Sequence, residues 1–171
     1  MLRHVLVPLD GSQLAEEALE YAQAIVDPQG VITLVSAVEV DAIPTYGPVM
    51  MPMVRTSIPD YQDALNNLIP QANAYLQRVV DVLATRGLQA DYEARLGEPA
   101  SVIVEIARER DVDAIVISTH GRSGLGRFLF GSVTTKVLEA ANRPVFVVPS
   151  VQRRATDKAA AEVEPPAEVG G

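Results

Sequence analysis

The fold is decided between Asp113 and Ser132, DAIVISTHGRSGLGRFLFGS. Its apolar run, Ala114 to Ile117, has the β-branched composition of a buried strand and stops abruptly at Ser118 and Thr119. A polar, glycine-rich loop follows, and at Ser132 a hydroxyl residue stands where a helical pattern begins, the position of an N-cap. A strand, a glycine loop and a helix N-terminus in that order make a site for an anion, because backbone N–H groups converge there and the helix dipole adds partial positive charge. Gly121, Gly124, Gly126 and Gly131 could form a flexible turn, but their crowding between strand and helix favours an anion site, with a phosphate group as the natural ligand.

Upstream, His4 to Asp10 (HVLVPLD) reads as a second buried strand. Pro8 has no N–H for a ladder and marks where sheet pairing finishes. Gly11 and Ser12 turn the chain into a helix of about Gln13 to Val26, with Leu14, Ala18, Ala22 and Ile25 on one face. Pro28-Gln29-Gly30 breaks it before another β-type run, Val31 to Val38. From Glu39 to Pro59 the pattern is irregular, with Pro44, Pro48, Pro52 and Pro59 among Met50, Met51 and Met53. Such a segment reads as a surface flap, or as an adaptable apolar lid or partner surface. A long helical pattern spans Tyr61 to Arg86, with Leu65, Leu68, Tyr75, Leu76, Val79, Val80 and Leu83 apolar. Pro70 is expected to kink or divide it, and Gly87 to stop it. Gln89 to Leu96 alternates weakly, as an edge strand does. Gly97-Glu98-Pro99 opens a helix with proline in its first turn and a stripe of Val102, Ile103, Ile106 and Ala107.

The strand within the opening stretch runs from Val112 to Ser118. Beyond the loop, Ser132 to Ala141 reads as a helix with Val133, Val137, Leu138 and Ala141 inward. Asn142-Arg143-Pro144 ends it, and Val145 to Val148 is the last strand. Residues 151–171 are rich in Ala, Glu and Pro, lack periodicity and read as a disordered tail. Strands alternating with helices imply one α/β domain over residues 1–150, a doubly wound, Rossmann-like, five-stranded parallel sheet of order 3-2-1-4-5. Ligands in such folds bind beyond the carboxyl ends of the strands, where the winding reverses. The polar strand ends at Asp10 and at Ser118 would then edge one crevice.

The chain has 171 residues, no cysteine, two histidines and a net charge of −8. Its last 21 residues hold three basic and four acidic side chains, so nearly all of that charge belongs to the domain. An acidic surface disfavours nucleic acid and anionic membranes. The lack of cysteine removes disulfides, thiolate metal sites and a cysteine nucleophile. No apolar run approaches the ~20 residues of a membrane span, and the start lacks a signal-like apolar region, so a soluble cytoplasmic protein is expected.

Two phosphate motifs fail. The P-loop needs G-x-x-x-x-G-K-[ST], and Gly121 to Phe128 lacks its lysine and hydroxyl. The dinucleotide fingerprint needs three glycines after the first strand, where only Gly11 stands. The register that does hold is Ser118-Thr119-His120-Gly121, nine residues from Arg122 to Phe130, then Gly131-Ser132. It resembles the G-x-x-G, nine residues, G-[ST] mark of the ATP-binding branch of the universal stress protein family, with Ser118 at the first glycine position. The resemblance covers about residues 1–149 and includes the opening Val5 to Ser12, Gly97-Glu98-Pro99 and the closing Arg143 to Pro149.

The resemblance implies ATP over strands 1, 2 and 4. Pro8, Asp10 and either Ala37 or Val38 would surround adenine and ribose, with Ile117 and Ser118 on the adenosine side. Gly121, Gly131, Ser132 and Val133 would hold phosphates, mainly through backbone N–H groups and the Ser132 hydroxyl, and Leu9, His120, Arg122 and Gly124 complete the candidate nucleotide-binding set. Mg²⁺ would bridge phosphate oxygens, with Asp10 acting on it indirectly. Serine at position 118 is compatible if the site needs a small side chain there and not positive φ. Each residue also has a plainer reading: Asp10 as an Asx-turn, Ser132 as an N-cap, Arg122 and Arg127 as solvated charges, His120 as a loop residue and His4 as an exposed strand start. A nucleotide-binding stress-response protein with slow or absent hydrolysis leads, because no P-loop lysine or positioned general base is legible. A weak ATPase and a nucleotide-free interaction protein are the alternatives. The family resemblance implies a homodimer, and the short apolar edge strand Val145 to Val148 needs cover.

Overall fold

The computed structural model describes residues 1–39, 58–119 and 131–149, with backbone alone for residues 58–65. The described strands are β1 (Leu2–Pro8), β2 (Val26–Val38), β3 (Gln89–Leu96), β4 (Ala114–Thr119) and β5 (Val145–Pro149). The helices are α1 (Gln13–Ile25), α2 (Ile58–Thr85), α3 (Pro99–Glu109) and α4 (Ser132–Ala140). All strand pairs are parallel, in the order β3-β2-β1-β4-β5. The chain winds outward from β1 through β2 to β3, then returns to β4 on the other side, so the winding reverses between β1 and β4.

Alternation along the central strands sets the two layers. Val5, Val7, Ile32, Leu34 and Val116 face α1 and α2, packing with Ala18, Ala22, Leu76 and Leu83. Leu6, Val35, Ile115 and Ile117 face the opposite layer, where α3 and α4 contribute Ile103, Ile106 and Val137. Both faces being covered, these strands are predominantly apolar instead of alternating with polar residues, Thr33 and Ser36 being buried exceptions on β2. No described helix is long and apolar enough to cross a membrane.

Several boundaries differ from expectation. β2 begins at Val26 and runs through Pro28-Gln29-Gly30, and its register against β1 shifts between Leu2 and His4. That irregularity absorbs the proline, which local reading takes as a stop. α2 starts at Ile58 and continues unbroken past Pro70. Pro70 is exposed, so water can take the carbonyl it leaves unpaired, while Leu76 and Leu83 hold the helix to the sheet. β4 is confined to Ala114–Thr119 because Asp113 turns its carboxylate onto the N–H groups of Arg3 and His4, at 2.6 and 2.9 Å. Leu138, expected inward, is 38% exposed. His4 is half-buried: its ring Nε2 lies 2.8 Å from Thr33 Oγ1, whose hydroxyl donates to Asp91 at 2.7 Å. With that proton committed to Asp91, Thr33 accepts from the imidazole N–H.

Candidate functional site: a cavity at the reversal of the sheet

A cavity of about 370 Å³ opens over the carboxyl ends of β1, β2 and β4, within the size range of small-molecule sites. Each wall has a sequence reason. β1 ends at Pro8, whose missing N–H releases the chain, and Leu9 still donates to Val35 O at 2.8 Å. Asp10 then makes an Asx-turn: its Oδ1 accepts from Ser12 N at 2.9 Å and from Ser12 Oγ at 2.6 Å. Gly11, at φ +83, supplies the left-handed step. Ser12 Oγ accepts from Ala15 N at 3.1 Å and so caps α1. Asp10 therefore lines the cavity and shapes the turn at once, and its Oδ2 has no partner among the described residues.

On the β4 side, Ile117 and Thr119 point toward α4, while Ser118 takes the alternate direction. Thr119 Oγ1 accepts from Gly131 N at 3.3 Å, tying the strand end to the start of α4. Gly131 is the N-cap of α4, at φ −59 and ψ 160, without a side-chain capping bond. This corrects the expected role of Ser132, which is the first helical residue and borders the cavity without the capping duty. Ser118 lies in β4, and Asp111 is the only non-glycine at positive φ among the described residues. Position 118 thus sits on ordinary strand backbone and does not need glycine's freedom.

Pro8, Leu9, Asp10, Ala37, Ile117, Ser118, Gly131, Ser132 and Val133 all border this one cavity. Val38 does not: it pairs with Leu96 at the far side of β2, and its carbonyl accepts from Gly97 N at 3.0 Å. Strand alternation turns Ala37 in and Val38 away. His120, Gly121, Arg122 and Gly124 lie outside the described residues, as do residues 40–57 and the tail. The structure adds wall residues that local reading passed over: Leu14 and Ile103 supply apolar surface, Thr119 the bond to Gly131, and Glu39 and Pro99 the rim. Leu14 is legible as helical and reads as core; Glu39, just past β2, carries no signal beyond its position.

The described lining carries two carboxylates, Asp10 and Glu39, and no cation. Just behind the rim, Glu98 caps α3, its Oε2 accepting from Ser101 N at 2.8 Å, while its Oε1 accepts from Lys136 Nζ at 2.9 Å. Those hydrogen bonds, that from Lys136 first, lower the Glu98 carboxyl to about 2. No group of three or more potential metal ligands occurs among the described residues. Mg²⁺ suits such a site only in its usual manner, with phosphates and water supplying most ligands and a single carboxylate such as Asp10 nearby.

A doubly wound parallel sheet with a cavity at its winding reversal defines a Rossmann-like α/β protein. Residues 1–149 match the family model described as Universal stress protein family, and the chain belongs to that family. Universal stress protein MJ0577 of Methanocaldococcus jannaschii is 29% identical over 154 residues, spanning 86% of this chain and 95% of its own. A solved structure of MJ0577 superposes with a TM-score of 0.69 at 26% identity, over 86% of this chain and 96% of that one. Two further structures share the fold: a universal stress protein in complex with cAMP (TM-score 0.57, 21% identity, 86% and 96% covered) and an Arabidopsis thaliana family protein with AMP bound (TM-score 0.57, 18% identity, 91% and 97% covered).

Proposed function

We propose that this protein binds an adenine nucleotide, ATP foremost, in the cavity at the sheet reversal, and acts as a nucleotide-dependent stress-response or regulatory protein. The observation that carries the reading is the pairing of two surfaces in one cavity: apolar walls from Leu14, Val35, Ala37, Ile103 and Ile117, and the N-terminus of α4 with Ser132 at its mouth. The first suits a purine, the second a phosphate. Relatives of the same fold that hold cAMP and AMP support adenine as the base. Asp10 contacts the ribose side, and Mg²⁺ joins the phosphates when ATP is bound. Hydrolysis is slow or absent in this reading, since neither a P-loop lysine nor a positioned general base is legible in the sequence.

The test is mass spectrometry of the supernatant from heat-denatured purified protein, followed by titration calorimetry with Mg-ATP. Release of adenine nucleotide, or saturable binding, is the expected result; the absence of both overturns the reading. Homodimerisation through β5 belongs to the same proposal. β5 is an edge strand, and Phe146 on it is 45% exposed. A cytoplasmic place of work, without nucleic-acid or membrane partners, completes it and accords with the net charge of −8.

A further inference from the structure

The N-terminal ends of α3 and α4 both border the cavity, through Pro99 and Ser132. Glu98 and Lys136 join them. The Glu98 carboxylate is divided: Oε2 takes the Ser101 N–H and hydroxyl, at 2.8 and 2.9 Å, and Oε1 takes the Lys136 ammonium at 2.9 Å. Lys136 stands one turn beyond Ser132 on α4, and helical side chains lean toward the N-terminus of their helix. Its ammonium is therefore carried back toward the Ser132 end, and it lies within electrostatic reach of Glu39, which lines the cavity. The described lining itself carries Asp10 and Glu39 and no cation, so Lys136, held on Glu98 next to the lining residue Pro99, is the positive charge these contacts bring near the rim.

Resting on the nucleotide reading above, we propose that Lys136 reads the length of the phosphate chain: the free protein holds its ammonium on Glu98, and the outer phosphates of a bound nucleotide replace Glu98 as its partner. The exchange is feasible because the pair is solvent-exposed, 58% for Lys136 and 39% for Glu98, and such pairs hold weakly. Glu98 keeps its capping bonds to Ser101 throughout, so α3 does not fray when the ammonium leaves. A polyphosphate offers the ammonium more negative charge than one carboxylate does, whereas a monophosphate, seated nearer the ribose, does not extend to it.

The experiment is calorimetric titration of the full chain with Mg-ATP and with AMP, for wild type, Lys136→Met, Lys136→Arg and Glu98→Gln, with melting curves for each. Lys136→Met weakens Mg-ATP by about five- to tenfold, the worth of one charge-assisted contact less the ion pair given up, and AMP by less than about twofold. Lys136→Arg restores Mg-ATP binding. Glu98→Gln retains an oxygen for the Ser101 cap but removes the competing charge, and strengthens Mg-ATP by about threefold while AMP is unchanged. Equal effects on both ligands, or none, overturn the role of Lys136 and leave the nucleotide site standing. Wild-type protein that binds neither ligand overturns the nucleotide reading, and this inference with it.

Discussion

Two glycines, Gly131 on the cavity wall and Gly97 ahead of α3, separate the needs of the fold from those of the proposed ligand. Gly131 has φ −59 and ψ 160, a backbone any residue adopts, and a Cβ built there meets no described atom within 4 Å. Gly131→Ala therefore changes stability by less than about 0.5 kcal/mol: alanine is a poorer N-cap by a few tenths, and the loss of unfolded-state freedom offsets it by a similar amount. The new methyl stands beside the N–H that donates to Thr119 Oγ1 at 3.3 Å, on a residue that borders the cavity, and under the proposed nucleotide reading it crowds the phosphate. Losing one charge-assisted hydrogen bond costs about 1.5–3 kcal/mol, or about ten- to a hundredfold in Kd. Gly97 is the opposite case. Its φ is +149, and an added Cβ meets Val102 Cγ2 at 2.8 Å, a buried, branched side chain with little room to turn. Gly97→Ala costs about 2–4 kcal/mol from backbone strain and overpacking together, lowering Tm by about 10 °C. Thermal melts and Mg-ATP calorimetry on both variants decide the matter. Unchanged Mg-ATP affinity in Gly131→Ala, or a collapse of its Tm, refutes the reasoning.

Asp113 holds the start of β1 through two backbone N–H groups, and those bonds, His4 first, keep its carboxyl below the ordinary value of 3.8. Asp113→Ala should cost about 1 kcal/mol in a denaturant titration, after allowance for its exposure to solvent. Glu98 falls from an ordinary 4.5 to about 2 in the folded protein, so its contribution is complete above about pH 4.5 and disappears as pH drops toward 2. In Glu98→Gln that part of the acid dependence vanishes, which paired melts at pH 5 and pH 3 would register; identical slopes in both proteins would count against it. Phe146→Asp places a charge on the exposed edge strand and should halve the mass seen by light scattering. Wild-type protein at monomer mass would end the dimer proposal instead.

Much of this protein is legible residue by residue. The apolar runs at Val5 to Val7 and Ala114 to Ile117, the proline at the first turn of α3 and the alternation of element types prescribe a parallel sheet with two covered faces, since each is a local requirement of backbone or side-chain chemistry. Asp10, Ser118 and Gly131 could likewise be marked out from their places at strand and helix ends. The strand through Pro28 to Gly30 and the helix through Pro70 could not, because partners distant in sequence supply the free energy that overrides a local stop. Nor could Thr33 betray that it links His4 to Asp91, or Glu98 that it holds Lys136, 38 residues away. Sequence alone determined the order and kind of the elements, because hydrophobic period and turn chemistry act over a few residues. The tertiary structure decided which ends meet, which of Ala37 and Val38 faces the cavity, and whether glycine or serine caps α4. Those depend on strand register and on contacts that exist only once the chain has closed on itself.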